Sequence, residues 1–107
     1  MAQEGDAAAM YLYAQWLETS CVRVQEWIPM PCEPDVRGGY EWLVRASEAG
    51  DAKAMYVLGV RLKYDWHVYA PIPPVEGTEV IRRAKELGFE SPVPEDETYA
   101  AFQRGEL

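Results

Sequence analysis

The sequence predicts an all-α protein of stacked antiparallel helix pairs, about two repeats followed by a C-terminal capping helix. Three observations predict it. Sliding the chain by 45 residues lays Gly5-Asp6-Ala7-Ala8-Ala9-Met10-Tyr11 over Gly50-Asp51-Ala52-Lys53-Ala54-Met55-Tyr56, with Leu17 on Leu62. Sliding it by 38 lays Gly39, Arg45, Ala46, Glu48 and Gly50 on Gly77, Arg83, Ala84, Glu86 and Gly88. All eight prolines fall in three clusters: Pro29, Pro31 and Pro34; Pro71, Pro73 and Pro74; Pro92 and Pro94. Internal self-similarity at such periods marks repeat architectures, and proline clusters interrupt helices. The bland alternative is a plain helical bundle with a coincidental match.

Between the punctuation marks the chain reads as helix in five stretches. The first covers 6–19, with an extension towards 27 left open. Asp6 stands at its start, and small Ala7 and Ala9 let its first turn approach a neighbour closely. The second covers 36–49, with Val36, Tyr40, Leu43 and Ser47 on one side and Trp42, Ala46 and Ala49 on an adjacent one. Gly50 suits the left-handed position that ends this helix. Asp51 suits the N-cap of the next. The third stretch, 51–64, repeats Ala54, Leu58 and Leu62 every four residues. Gly59 lies inside it, where glycine costs about 1 kcal/mol against alanine. A close helix crossing at that point explains its presence. The fourth stretch is 76–87. The fifth, 95–104, begins with Glu95-Asp96-Glu97, which complements a helix N-terminus. Tyr99 and Phe102 are spaced to cover the last repeat. The acidic triplet reads as a solvated helix start rather than a calcium loop.

Residues 50–62 run Gly-Asp-Ala-Lys-Ala-Met-Tyr-Val-Leu-Gly-Val-Arg-Leu. This pattern resembles the first helix of a SEL-one-like repeat, a relative of the tetratricopeptide repeat. Gly39, Trp42, Ala46, Glu48 and Gly50 resemble its second helix. Gly39 stands where the family usually has Ala, and Leu62 where it usually has an aromatic residue. The resemblance covers about residues 2–88 and implies a short right-handed superhelical array in one domain. Repeat one spans about 5–49, repeat two about 50–88, and the cap 89–107. It assigns packing roles to Trp42, Ala46, Ala54, Leu58 and Gly59, and no catalytic role. The segment Ala2-Gln3-Glu4-Gly5-Asp6 resembles Ser47-Glu48-Ala49-Gly50-Asp51, as though a helix had just ended. Truncation at the N-terminus is therefore one expectation, together with self-association through an uncapped end.

Composition excludes several functions. Lys and Arg number 10 against 18 Asp and Glu, a net charge of −8, with a sequence pI near 4.6. Phosphate-gripping nucleic-acid binders depend on clustered basic residues, so neither nucleic acid nor an anionic membrane surface is an expected partner. No apolar run approaches the roughly 20 residues of a membrane span. The first ten residues carry two acids and no Lys or Arg, unlike a signal peptide. Hydrophobic residues make up 49%, enough for a folded domain.

Function on repeat scaffolds lives in insertions and on the inner face. The first link, about 20–34, holds Trp27 and Ile28 between Cys21 and Cys32. A disulfide there would close a loop worth roughly 3 kcal/mol and imply a bacterial periplasmic setting. Free thiols would imply the cytoplasm. Trp27 and Ile28 then either present themselves to a partner or tuck onto the core. The second link, Tyr64-Asp65-Trp66-His67-Val68-Tyr69, concentrates aromatics. It is either an interface patch or a loop packed on its own repeat. Arg61 and Trp16 occupy matching repeat positions, as an inner-face stripe or, for Trp16 especially, as part of a larger core. The candidate partner-binding residues are thus Trp27, Arg61, Tyr64, Asp65, Trp66, His67 and Tyr69.

His67 is the single histidine. No nucleophile motif, phosphate loop or HExxH accompanies it, and the spacings suit no metal. The expectation is a non-enzymatic protein-binding module without cofactor or metal. A small hydrolase using His67 is the disfavoured contrast. The short acidic array with an aromatic loop resembles bacterial immunity proteins built on these repeats, which block a cognate secreted toxin, often a type VI effector. An adaptor or regulatory scaffold in signalling or envelope assembly is the alternative. In either case the acidic charge favours a partner with a basic surface.

Overall fold

The computed structural model describes residues 6–19, 34–69 and 76–107. Among these residues the regular secondary structure is all helix, with no strand. The helices are α1 (Ala7–Thr19), α2 (Val36–Glu48), α3 (Ala52–Tyr64), α4 (Gly77–Glu86) and α5 (Thr98–Arg104), the last entered through a 3-10 turn at Glu95–Glu97. These spans match the five expected stretches within about two residues, except that the fifth opens as the tighter turn. The continuation of α1 towards 27, together with Cys21, Trp27, Ile28 and Cys32, lies outside the described residues.

Local chemistry explains the boundaries. The Asp51 carboxylate accepts the Ala54 N–H at 3.0 Å, and the Asp6 carboxylate accepts that of Ala9 at 3.1 Å, so both aspartates of the repeat cap a helix. Asp35 does the same for α2, accepting from Gly38 at 2.8 Å. Gly50 takes φ of 101°, and the Asp51 N–H donates back to the Ala46 carbonyl at 3.1 Å. Gly88, 38 residues later, takes φ of 98°, and the Phe89 N–H donates to the Ala84 carbonyl at 3.2 Å. Both turns are the left-handed closure that satisfies orphaned helix carbonyls.

Each helix packs on the next: α1 on α2, α2 on α3, α3 on α4. The crossing of α3 and α4 is very close. A Cβ on Gly59 would lie 2.8 Å from the Gly77 carbonyl oxygen, and one on Gly77 would lie 2.5 Å from the Lys63 nitrogen. The first pair crosses at the corresponding place, where Gly39 abuts the Glu18 side chain. Glu18 and Lys63 are 45 residues apart, and Gly39 and Gly77 are 38 apart.

The core has two clusters with α3 between them. Met10, Tyr11 and Ala14 of α1 meet Tyr40, Leu43, Val44 and Ala46 of α2, Ala54, Val57 and Leu58 of α3, and Phe102 of α5. On the far side Tyr56 and Val60 of α3 meet Ile81 and Ala84 of α4, with Phe89 beside them. Hence α3 is buried continuously from Tyr56 to Arg61, without a solvent face there. The terminal helix was expected to cover the last repeat. In the structure α5 packs on α3, the first helix of that repeat, and also on α1, placing Phe102 edge-on to Tyr11 at 5.6 Å between ring centroids. No described helix is long and apolar enough to cross a membrane.

Candidate functional site

The site grows from the end of α3. Arg61 has no exposed surface. Its Nη1 donates to Glu18 Oε2 at 2.6 Å. Its Nε donates to the Trp66 carbonyl at 3.2 Å and its Nη2 to the His67 carbonyl at 2.9 Å. The guanidinium carbon sits 5.3 Å from the centre of the Tyr40 ring and 4.9 Å from that of Tyr99. Glu18, equally enclosed, accepts a second hydrogen bond at Oε1 from the Tyr99 hydroxyl at 2.9 Å. One cation and one carboxylate thus tie together α1, α3, α5 and the segment that follows α3. The fork of donors on an arginine suits this task, since it reaches several acceptors from one rigid plane.

Electrostatics at the pair are governed first by burial. Removal from water pushes the Glu18 carboxyl above its ordinary range, while the Arg61 charge and the bonds from Arg61 and Tyr99 pull against that shift. Burial, then the neighbouring Glu18 charge, pushes the Tyr99 hydroxyl upwards too, so it stays a donor.

This anchoring shapes the aromatic segment. Asp65 takes a left-handed conformation at φ of 55°, ending α3, and His67 takes another at 52°. Two such residues in three turn the chain sharply, and the Arg61 bonds to the Trp66 and His67 carbonyls hold the turn. Tyr64 and Trp66 stack with centroids 4.7 Å apart and planes at 18°. His67 lies 5.4 Å from Tyr99, ring to ring. The Tyr64 hydroxyl and Lys63 Nζ both donate to Glu95 Oε1, at 3.0 and 2.5 Å, tying the turn before α5 to α3. The Lys63 bond holds the Glu95 carboxyl below its usual range. Tyr69 turns inward, edge-on to Tyr40 at 5.9 Å.

The expected residues therefore divide. Tyr64, Trp66 and His67 gather on one surface, joined by Tyr99. Asp65 is exposed and ends α3. Tyr69 is half-buried against Tyr40. Arg61 leaves the partner-facing set, because every part of it is enclosed and committed to Glu18 and to two carbonyls. Trp16 corrects the expectation of a larger core, being 46% exposed. Trp27 lies outside the described residues, as do Cys21 and Cys32.

No known protein family, curated protein or solved structure matches the chain.

Two open hollows flank α5. One, of about 350 Å³, is lined by Trp66, His67, Asp96, Tyr99, Ala100 and Gln103. The other, of about 340 Å³, lies between α5 and the outer face of α1, where Leu12 is 60% exposed beside Trp16. Among the described residues no three His, Cys, Asp or Glu side chains converge as a metal site requires. Glu18 went unread in the sequence, although a signal existed. It continues the stripe Tyr11, Ala14 on α1 just as Arg61 continues Ala54, Leu58 on α3, so two opposite charges interrupt two apolar stripes.

Proposed function

We propose that this chain is a non-enzymatic protein-interaction module built from two SEL-one-like repeats in a right-handed superhelical array. Its most concrete role is a bacterial immunity protein that binds and neutralises a cognate secreted toxin of the type VI kind. The observation that carries the binding reading is the aromatic segment after α3. Exposed Tyr64 stacks on half-buried Trp66, which also rests on the second core cluster, and Arg61 fixes the backbone beside them through the Trp66 and His67 carbonyls. Rings held in place before an encounter lose little freedom on binding, and aromatic residues dominate the energetics of protein interfaces. The net charge of −8 favours a basic partner surface. The repeat reading is supported by the matching helix crossings and matching left-handed closures at offsets of 38 and 45 residues.

The experiment is capture on the immobilised chain of proteins from lysate of its own source, washed at high salt and identified by mass. A single stoichiometric partner with a dissociation constant of about 1 nM or below, whose toxic activity stops on binding, is the expected result. Tyr64→Ala and Trp66→Ala each weaken that complex by more than about tenfold while far-UV circular dichroism stays unchanged. Normal binding by both variants would sink the aromatic-segment reading. The adaptor alternative draws on the second exposed apolar surface, Leu12 and Trp16 of α1. It predicts several partners bound weakly, some of them sensitive to Trp16→Ala and not to Trp66→Ala.

A further inference from the structure

We infer that the hollow between the aromatic segment and α5 is a receptor for one arginine side chain of a basic partner segment. This inference rests on the protein-interaction reading above and names the chemistry of the partner at that place. The walls are aromatic: Trp66, Tyr99 and His67. The rim is acidic and amide-bearing: Asp96 and Gln103 line the opening, and Asp65 and Glu97 are exposed nearby in sequence. Aromatic faces attract cations through the ring quadrupole, Trp most strongly. A guanidinium gains further from a carboxylate that can accept two of its N–H groups. The hollow offers both within one concavity.

Three observations argue for a cationic side chain over other occupants. The neighbouring carboxylate Glu95 is already engaged by Lys63 and Tyr64, whereas Asp96 is an exposed carboxylate at the mouth of the hollow. The carbonyls of Trp66 and His67 already accept from Arg61, which leaves the Asp96 carboxylate as the charged acceptor among the lining residues. The volume of about 350 Å³ is at the small end of the range for ligand sites, roughly 300–1,000 Å³, which suits one long side chain better than a folded ligand. The guanidinium is preferred to an ammonium because it is planar and less strongly hydrated, and so can lie flat on an indole.

The hollow also shows why the chain places Arg61 beneath it. With its charge spent on Glu18 and sealed from solvent, the internal guanidinium braces the walls, and the net −8 of the molecule remains available to draw in a positive group.

The test uses the whole chain, labelled with 15N, and a capped pentapeptide with one central arginine. Parallel titrations use the same peptide carrying citrulline, which keeps the shape of arginine but not its charge, or lysine. The expected result is saturable shifts at the Trp66 indole N–H and the Ala100 and Gln103 amides with the arginine peptide. The lysine peptide binds more weakly and citrulline gives none. Asp96→Asn weakens arginine binding by about fivefold or more. This exposed change has no hydrogen bond to lose within the fold, so it keeps the test valid should Trp66→Ala unfold the segment. Equal binding of citrulline, saturable shifts that avoid these residues, no shifts at all, or an unaffected Asp96→Asn would each overturn the inference. A captured protein partner that binds Asp96→Asn as tightly as the native chain would also overturn it while leaving the interaction-module reading standing. Peptide binding without any protein partner would do the reverse.

Discussion

Arg61 and Glu18 face each other across 2.6 Å with water excluded from both. Pairs of this kind gain little net stability, because desolvation offsets attraction, yet removing one partner leaves the other unsatisfied. Glu18→Ala is therefore expected to cost about 3–5 kcal/mol, read as a fall in the urea midpoint. Glu18→Gln keeps an acceptor for Arg61 and turns an amide N–H towards the Tyr99 hydroxyl, which can accept it, and should cost less. The pH dependence of that variant tests the charge itself. Burial holds the Glu18 carboxyl above its unfolded value of 4.5, so the unfolded chain releases this proton first as pH rises. The native protein should lose stability relative to Glu18→Gln as pH climbs from about 4.5 through the raised value, and hold a constant difference beyond it. A difference that grows in favour of the native protein with rising pH would show attraction, not burial, to be in control. At this scale the sequence disclosed Arg61, Tyr64, Trp66 and His67 as residues of interest. It hid that Arg61 points inward, because its partner lies 43 positions away on another helix.

At the scale of the element, the helix boundaries were legible because they are written locally. Asp6 and Asp51 are caps, Gly50 and Gly88 are left-handed closures, and Pro92 and Pro94 lie between α4 and the turn that opens α5. The crossing of α3 and α4 was legible in Gly59 alone, and Gly77 completes it. Gly77→Ala is expected to destabilise the protein by about 1–3 kcal/mol, the range of core overpacking, despite the gain of up to about 1 kcal/mol from alanine's helix preference. The new methyl would press on the Gly59 and Lys63 backbones, which cannot rotate away as a flexible side chain would. A melting temperature lowered by at least about 4 °C is the readout. An unchanged or higher value would mean that α4 can slide by a few tenths of an ångström without loss. The destination of α5 was not legible. Tyr99 and Phe102 announce an apolar face for the last repeat, but no local signal says that α1 receives it as well as α3.

Across the whole molecule, α3 belongs to both core clusters, so neither can melt while the other stays intact. Helix signal and near-ultraviolet aromatic signal should therefore disappear together in urea, as in a two-state transition. Phe102→Ala empties a site shared by Met10 and Tyr11 with α5. The expected loss is about 3–5 kcal/mol, a large share of the 5–15 kcal/mol typical of a domain. The two circular dichroism signals should still coincide in that variant. Separated transitions would reveal α5 as an independently melting unit. The fold class follows from repeats and punctuation, which are short-range. The closure of the molecule follows from contacts such as Tyr99 with Glu18, 81 positions apart, which no window along the chain can display.

That closure sets a temporal order. The α2–α3 and α3–α4 packings join neighbours in the chain, whereas seating α5 on α1 brings the Tyr11 hydroxyl to within 3.4 Å of the Leu107 carbonyl, 96 positions away. Long loops are closed late, since their entropy is lost before contacts compensate for it. The last helix to arrive is then the clasp whose release begins unfolding. In stopped-flow measurements Phe102→Ala should open the molecule faster while leaving its rate of assembly nearly untouched.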